Sequence, residues 1–245
     1  MIEKEIKIKT RDGHTIYGVL SDQKVQPSKT LVVFVHGLAS SMHEHKYYNA
    51  ARLFAREEIA TFRFNFYDCR KGGRSIMDCT LPLHAADLNR VVTNFREKYK
   101  KIFLVGHSLG AIVILLADTK KVDGVIFWDG THKETKRAKL FTHKAFIWAK
   151  PLRAYIANWG SVYVIPKALL DPTSRRLLIK NISCPIKLIY AEKGILVEGA
   201  KDYFKLANSP KELVFIKDAD HNFDRGETAV TLHKETLAFV KKYSR

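Results

Sequence analysis

Short, nearly unbroken runs of apolar residues recur along the chain from about residue 30 onward. Runs without polar residues at alternate positions are typical of strands that are covered on both faces of a sheet. We therefore predict six buried strands. They occupy residues 31–36, 59–64, 102–107, 122–128, 184–191 and 212–219.

Segments with apolar residues at helical spacing separate these strands. They cover residues 45–57, 81–99, 109–118 and 228–243. Strand and helix therefore alternate, which favours right-handed crossovers and a mostly parallel sheet with helices on both faces. Before the first buried strand, alternating apolar positions on both sides of a turn at residues 11–13 predict a hairpin of two edge strands.

Residues 130–183 interrupt this alternation, because the segment is too long for one crossover helix. We predict that it forms a helical cap inserted over one end of the sheet. Residues 1–129 and 184–245 then make up the α/β core. Ligands of such sheets bind beyond the carboxyl ends of the strands.

The composition is that of an ordinary globular protein, with 245 residues of which 46% are apolar and 27% charged. It excludes a disordered tail, a collagen-like fibre and a disulfide miniprotein. The three cysteines have no CxxC spacing, so we expect reduced thiols and no thiol metal site. The N-terminal segment lacks an apolar signal region, and no stretch approaches the ~20 apolar residues of a membrane span. We expect a soluble, cytoplasmic protein.

The sharpest chemical signal is the pentapeptide GHSLG at residues 106–110, which stands directly between a predicted strand and a predicted helix. A G-x-S-x-G turn in this context holds its serine in a strained conformation and exposes the hydroxyl above the sheet. Ser108 is therefore the candidate nucleophile. The structural alternative is a helix-starting turn with an incidental serine.

A second signal is His36-Gly37 at the end of the first buried strand. The turn there leaves backbone N–H groups free, so the amides of Leu38 and Leu109 could hold a developing oxyanion. We interpret His36 itself as a structural histidine at a strand end.

A third signal is the segment DADHNF at residues 218–223, just beyond the last predicted strand. A general base must come from a loop at the same end of the sheet as the serine. Among the ten histidines, His221 is the only one between the final strand and the final helix, which makes it the candidate base.

These motifs resemble those of the α/β-hydrolase family, particularly its small capped esterases, monoglyceride-lipase-like enzymes and serine aminopeptidase-like hydrolases. The resemblance covers nearly the whole chain and includes the loop FRFNFYDCRKGGRS at residues 62–75. It implies an α/β-hydrolase fold and a serine hydrolase that needs no metal or cofactor. The site residues that it implies are Ser108 as nucleophile, His221 as base, and the amides of Leu38 and Leu109 as oxyanion hole.

The acid of the expected catalytic triad departs from the family pattern. Relatives usually carry an aspartate shortly after the strand that corresponds to residues 184–191, but Gly194 stands at that position here. Asp129, directly after the strand at residues 122–128, is the favoured replacement because some relatives carry their acid there. Glu192, with a longer side chain, is the alternative acid.

Other roles for these acidic residues stay open. Glu198 and Asp202 begin a predicted helix, where a carboxylate can simply serve the helix dipole. Asp129 can instead cap the inserted segment, with Thr131 as a competing cap.

Together the motifs predict a serine hydrolase of the carboxylesterase or lipase-like class, which acts on a small acyl ester, or on a thioester or amide, through an acyl-enzyme. The alternative is a hydrolase-fold ligand-binding protein whose catalysis is weak or lost, because the usual acid position holds Gly194.

The formal net charge of +17 is concentrated in the predicted cap. Between residues 131 and 180 there are eleven lysines and arginines and two acidic residues. Two interpretations are open: a solvated basic surface, or contact with anionic lipid or an anionic substrate head group, since basic residues beside aromatic ones suit an interfacial helix. No nucleic-acid-binding motif accompanies the charge, so we do not expect nucleic acid as a partner.

Overall fold

The computed structural model describes residues 1–23, 28–132, 146–159, 161–170 and 176–245. The strands in these ranges are β1 (Ile2–Lys9), β2 (Thr15–Asp22), β3 (Thr30–Val35), β4 (Ile59–Phe64), β5 (Lys101–His107), β6 (Gly124–Trp128), β7 (Phe146–Ala149), β8 (Ala154–Asn158), β9 (Val162–Pro166), β10 (Ile186–Ala191) and β11 (Lys211–Ile216). The α-helices in these ranges are α1 (His45–Arg56), α2 (Leu81–Arg96), α3 (Leu109–Leu116), α4 (Ala200–Leu206) and α5 (Thr228–Ser244). Short 3-10 turns lie at Ile76–Asp78, Thr119–Lys121, Lys150–Leu152, Lys167–Leu170 and Arg176–Asn181.

Eight strands form one sheet in the order β1-β2-β4-β3-β5-β6-β10-β11. From β4 to β11 the neighbours are parallel, whereas β1 and β2 form an antiparallel hairpin at one edge. All six predicted strands, the edge hairpin and the mostly parallel sheet are therefore confirmed. The predicted burial is wrong for β11, which lies at the edge of the sheet and is only partly buried. The strand that follows β3 in the chain, β4, lies on one side of it, and the next strand, β5, lies on the other side. Such a reversal in strand order opens a crevice at the carboxyl ends of the strands.

Helices cover both faces of the sheet, and each face has its own apolar core. On one face, α2 and α3 bury side chains such as Leu88 and Ile114 against the sheet. On the other face, Phe54 of α1 and Val240 of α5 belong to a separate core. Each such side chain stabilises the fold by about 1.5–3 kcal/mol. None of the helices in the described ranges is both long and apolar enough to cross a lipid bilayer.

The inserted segment differs from its prediction. Its described residues form a small antiparallel sheet in the order β7-β8-β9, with 3-10 turns and no α-helix. The helical cap is therefore wrong for the described residues between 146 and 166. These strands are rich in aromatic and β-branched residues, which favour extended backbone, and Arg153 reverses the chain with a left-handed φ of 49°. Other residues of the predicted cap, 133–145, 160 and 171–175, lie outside the described residues.

The small sheet is inserted in the chain between β6 and β10, which are neighbours in the main sheet. One of its edge strands, β9, contacts the 3-10 turn Ile76–Asp78 in the loop that follows β4. This loop begins at the carboxyl edge of the parallel strands, where ligands are expected. The boundaries of the insertion, residues 130–183, stay a prediction.

Candidate active site

Ser108 stands in the turn between β5 and α3, with a left-handed φ of 53° and a ψ of −118°. A non-glycine residue rarely adopts a positive φ, and the surrounding structure must hold it there. The Ser108 N–H donates to the carbonyl of Trp128 at 3.1 Å, and the Ser108 carbonyl accepts from the N–H of Thr131 at 3.1 Å. The turn is thus fixed by the end of the neighbouring strand β6.

The two glycines of the pentapeptide give this turn its room. A β-carbon at Gly110 would lie 2.2 Å from the carbonyl oxygen of Val35, and one at Gly106 would lie 2.8 Å from the backbone nitrogen of Ala111. Real β-carbons do not approach backbone so closely, so both positions require glycine. The two glycines of the motif are therefore required by the close packing of the strand, the turn and the helix.

The side chains of Ser108, His221 and Asp129 form one hydrogen-bonded row. The distance from His221 Nε2 to Ser108 Oγ is 3.1 Å, and that from His221 Nδ1 to Asp129 Oδ2 is 2.5 Å. With a proton on Nδ1, the imidazole donates to the Asp129 carboxylate, and its Nε2 accepts from the Ser108 hydroxyl. This is the arrangement that general-base activation of a serine requires.

Asp129 is fully buried at the end of β6 and reaches across to β10. Its N–H donates to the carbonyl of Ile189 at 2.7 Å, and its Oδ1 accepts from the N–H of Ala191 at 3.2 Å. Its φ of 41° is left-handed, so the backbone as well as the side chain is fixed by the sheet edge. The carboxylate has no freedom to turn from His221 without losing these bonds.

The position where the family pattern expects an aspartate is in contact with this carboxylate. A β-carbon at Gly194 would lie 2.7 Å from Asp129 Oδ2 and 2.9 Å from the β-carbon of Ala191. The alternative acid, Glu192, is exposed, and its Oε2 accepts from the N–H of Asp218 at 3.0 Å. The structure therefore brings Asp129, and not Glu192, to His221.

The loop that carries His221 is held by residues that the sequence interpretation did not assign. The Nε2–H of His107, a buried residue at the end of β5, donates to the carbonyl of His221 at 2.9 Å. Lys46 Nζ, buried on α1, donates to Asn222 Oδ1 at 3.3 Å and pairs with Glu44 at 2.9 Å. A polar side chain inside an apolar strand is a signal that could have drawn attention to His107, whereas nothing in the local sequence marks Lys46.

Burial lowers the pKa of the His107 imidazole well below its usual range, so this ring stays neutral around pH 7. Its Nδ1 has no hydrogen-bond partner in the part of the chain that the structure describes. The neutral Nε2–H tautomer is the one that the carbonyl of His221 requires. His107 therefore acts on the site through the position of His221.

His36 ties the turn after β3 to the loop after β4. Its Nδ1–H donates to the carbonyl of Gly37 at 2.8 Å, and its Nε2 accepts from the N–H of Phe66 at 3.2 Å. Burial lowers the pKa of His36, which keeps the ring neutral for these two bonds. The structural role expected for this histidine agrees with its contacts.

The same turn lies directly against the candidate nucleophile. A β-carbon at Gly37 would lie 3.2 Å from the β-carbon of Ser108, so the amide of Leu38 follows immediately beside the serine. Leu109 is the first residue of α3, where an N–H has no acceptor within the helix. Neither amide has a hydrogen-bond acceptor among the described residues, which leaves both donors available.

A second buried histidine, His132, also escaped the sequence interpretation. Its Nε2–H donates to the carbonyl of Glu198 at 3.0 Å, its Nδ1 lies 3.1 Å from the hydroxyl of Tyr190, and its ring stacks on Tyr203. The contacts join the segment after Asp129 to the loop beyond β10. Within the described ranges, no group of three or more His, Cys, Asp or Glu side chains is placed to hold a metal ion.

Comparisons with known proteins identify the family and the fold. A model described as "Alpha/beta hydrolase family" matches residues 32–224. None of the curated proteins searched matches the chain. Among solved structures, the chain is similar to Est1E from Butyrivibrio proteoclasticus with ferulic acid bound, with a TM-score of 0.81 and 15% identity over 97% of this chain and 98% of that one.

Two further solved structures share the fold over almost their whole length. The esterase domain of a Rhodothermus marinus protein has a TM-score of 0.76 and 17% identity over 99% of both chains. The alpha/beta hydrolase GrgF from Penicillium sp. sh18 has a TM-score of 0.77 and 19% identity, again over 99% of both. At identities of 15–19%, the similarity to these structures establishes the fold alone.

Proposed function

The chain belongs to the α/β hydrolase family, and from that premise we propose that it is a serine hydrolase that cleaves carboxylic esters through an acyl-enzyme on Ser108. The observation that carries the proposal is the row of hydrogen bonds from Ser108 through His221 to Asp129. A serine without a positioned base is a weak nucleophile, and this row supplies both the base and a carboxylate that orients it.

In the first half of the reaction, Ser108 Oγ attacks the acyl carbon and His221 Nε2 takes the hydroxyl proton. The imidazolium that forms is stabilised by the buried carboxylate of Asp129. As the tetrahedral intermediate collapses, the bond to the leaving oxygen breaks and His221 returns the proton to the departing alcohol. Ser108 is left as the acyl ester.

In the second half, water attacks the acyl carbon while His221 Nε2 takes a proton from it. Collapse of this intermediate returns the proton to Ser108 Oγ and releases the carboxylic acid. In both halves, the free amides of Leu38 and Leu109 stabilise the negative oxygen of the intermediate. Removal of a single donor of this kind costs about 10²–10³ in turnover.

Two findings support an ester as the bond that is cleaved. The Rhodothermus marinus domain is named an esterase domain, and its fold is shared over nearly the whole chain. The same machinery also acts on thioesters and amides, because all three pass through a tetrahedral oxyanion. Small acyl esters are therefore the first substrates to test.

The rival interpretation is a hydrolase-fold protein that binds ligands without turning them over. This interpretation arises because a glycine, Gly194, stands at the expected acid position. Asp129 removes that reason, because its carboxylate already occupies the space beside His221 Nδ1. The two free amides beside Ser108 also favour catalysis, since a binding protein has no need of an oxyanion hole.

A fluorophosphonate probe tests the proposal directly, because it phosphonylates only a serine that a base has activated. Wild type is expected to react, and Ser108→Ala is expected to remain unlabelled. Ser161→Ala, at an exposed serine of the insertion, is the matched control and should react like wild type. Equal labelling of wild type and Ser108→Ala refutes the assignment. A panel of esters without turnover above that of Ser108→Ala favours the ligand-binding alternative.

A further inference from the structure

The small sheet of the insertion exposes a cluster of large apolar side chains. We call the cluster the apolar edge; its members and their exposed fractions are Ile147 (65%), Trp148 (42%), Leu152 (48%), Trp159 (46%) and Val162 (70%). The chain has three tryptophans. Trp128 is fully buried in the core, so both of the others stand in this cluster.

The strand pairing explains why Ile147 and Trp148 reach solvent, whereas Leu152 and Trp159 lie in the segments that join the strands and Val162 is the first residue of β9. β7 is an edge strand, and the other edge, β9, contacts the core at Ile76–Asp78. Ile147 and Trp148 are consecutive in β7 and so point to opposite faces, yet both are exposed. Within the described residues, the β7 edge of the small sheet therefore exposes apolar side chains on both of its faces.

The aromatic residues of the sheet also contact each other. Trp159 lies with its ring centroid 5.3 Å from that of Phe146 and 5.7 Å from that of Tyr163, while Trp148 lies 4.8 Å from Tyr155. The contacts hold the exposed tryptophans in place. Isolated exposed apolar residues are ordinary, but a clustered and ordered set indicates a surface that meets a partner.

The charges beside the apolar edge indicate the chemistry of that partner. Lys150, Arg153 and Lys167 are exposed at one end of the small sheet, where the N–H of Lys167 donates to the carbonyl of Arg153 at 3.2 Å. The insertion has no acidic residue within its described parts, and there no carboxylate pairs with these three cations. The partner is therefore expected to be anionic as well as apolar.

We propose that the β7–β8–β9 sheet docks on the surface of a lipid bilayer that contains anionic lipids. Tryptophan and tyrosine favour the interface between head groups and acyl chains, where the ring is apolar and the N–H or O–H stays hydrated. Lysine and arginine beside them attract anionic head groups over about a Debye length. The sheet thus takes the role that one of the two sequence interpretations gave to an interfacial helix.

Docking orients the candidate active site toward the membrane. The inserted segment leaves the core after β6, at the carboxyl edge of the sheet that also carries Ser108, and its strand β9 contacts Ile76–Asp78 in the loop that begins at this edge. The bilayer would then present the acyl esters of amphiphilic molecules to that edge. This consequence rests on the proposed function, whereas docking itself does not.

Co-sedimentation with vesicles tests the docking. We expect the protein to bind vesicles of phosphatidylcholine with phosphatidylglycerol at least ~10-fold more strongly than phosphatidylcholine alone, and binding to weaken in about 1 M salt. The double variant Trp148→Ala, Trp159→Ala should lose at least ~10-fold in binding to the mixed vesicles. Val230→Ala, which removes an exposed apolar side chain of α5, is the matched control and should bind like wild type.

The charges are tested in the same way. Replacement of Lys150, Arg153 and Lys167 by Gln should remove the preference for phosphatidylglycerol. The charge-matched control replaces Lys120, Lys121 and Lys217, which are exposed lysines outside the insertion, and should leave the preference unchanged. Equal binding of both lipid mixtures, or wild-type binding by the tryptophan variant, overturns the proposal. Dimerisation that the tryptophan variant abolishes, without vesicle binding, assigns the edge to a second copy instead and also overturns it.

Two readouts separate this proposal from the proposed function. Ser108→Ala should bind the vesicles like wild type, because docking needs no catalysis. The tryptophan variant should hydrolyse a short water-soluble ester at the wild-type rate, because the row from Ser108 to Asp129 is intact. Loss of hydrolysis alone therefore concerns the active site, and loss of vesicle binding alone concerns the apolar edge.

Discussion

Gly194 packs against the carboxylate of Asp129, so closely that a β-carbon at Gly194 would lie 2.7 Å from Asp129 Oδ2. The two positions follow neighbouring strands of the sheet, Gly194 after β10 and Asp129 after β6. A side chain at position 194 would enter the space that the Asp129 carboxylate occupies, so only one of the two positions can hold an acid. Glycine at position 194 thus leaves room for the carboxylate of Asp129, which follows the neighbouring strand.

Replacement of the acid is the first test. Asp129→Asn should retain the fold, because the amide oxygen can still accept from the N–H of Ala191. The amide cannot stabilise the imidazolium of His221, and we expect kcat to fall by ~10²–10⁴. Steady-state kinetics on a small ester measure the effect, with circular dichroism to verify folding.

Glu192→Gln is the control for this experiment. Its side chain accepts one backbone N–H at the surface, and an amide oxygen can do the same, so activity should stay near that of wild type. A large loss in Glu192→Gln together with a small one in Asp129→Asn would place the acid after β10 instead. Two silent variants would indicate a serine–histidine dyad.

An aspartate introduced at the family's usual position should harm the enzyme. In Gly194→Asp the new β-carbon meets Asp129 Oδ2 and the β-carbon of Ala191, and the second carboxylate adds charge repulsion. We expect kcat to fall by at least ~10-fold, since displacement of the acid by about 1 Å is costly. Ile195→Asp, at an exposed neighbour, adds the same charge without the collision and should retain activity. Higher activity in Gly194→Asp would show that Asp129 is not the acid.

The loop that carries His221 gives a third test, at His107. His107→Leu removes the donor to the carbonyl of His221, and the loss of such a part-buried hydrogen bond costs about 0.5–1.5 kcal/mol. We expect kcat to fall by ~10-fold or more, with KM little changed, because the base loses its position. His107→Gln carries an N–H at a similar reach and should recover most of the activity. Equal losses in both variants would indicate a general packing defect.

The core of the fold was predictable because its strands are buried on both faces. Such strands are apolar along most of their length, as in β3 and β5, so their pattern does not depend on what they pair with. The positions of Ser108 and His221 followed from the same pattern, since each stands just beyond a strand. Asp129 also stands directly after a strand, but it was favoured as the acid because of the resemblance to the α/β-hydrolase family, and its distance to His221 comes from the structure.

The features that the sequence predicted wrongly or missed depend on contacts between distant parts of the chain. The insertion forms strands because three short segments pair with each other, and four or five residues carry too little periodicity to distinguish a strand from a helix. His107 contacts a carbonyl 114 residues away, and His132 contacts one 66 residues away. Such a role is visible only once the fold has brought the partners together.

Buried histidines should make the stability of the fold depend on pH, and His84 offers the clearest case. It is 2% exposed on α2, stacks on Phe66 with ring centroids 4.2 Å apart, and neither ring nitrogen has a hydrogen-bond partner in the described ranges. Burial lowers the pKa of His84 to about 3. Between this value and the ordinary histidine pKa of ~6.5, the unfolded chain binds the proton and the folded one does not.

The contribution of His84 to the free energy of unfolding is therefore fully present above pH ~6.5 and is lost as pH falls toward 3. The free energy of unfolding should fall by about 2 kcal/mol between pH 7.5 and 5 because of this residue. In His84→Phe the aromatic stack remains and the titration is removed, so the variant should lose about 2 kcal/mol less than wild type over that interval. Urea unfolding at the two pH values measures the difference. Exposed His43 provides the control, and His43→Phe should follow wild type. The same pH dependence in wild type and His84→Phe would show that His84 accepts a proton in the folded state as readily as in the unfolded one.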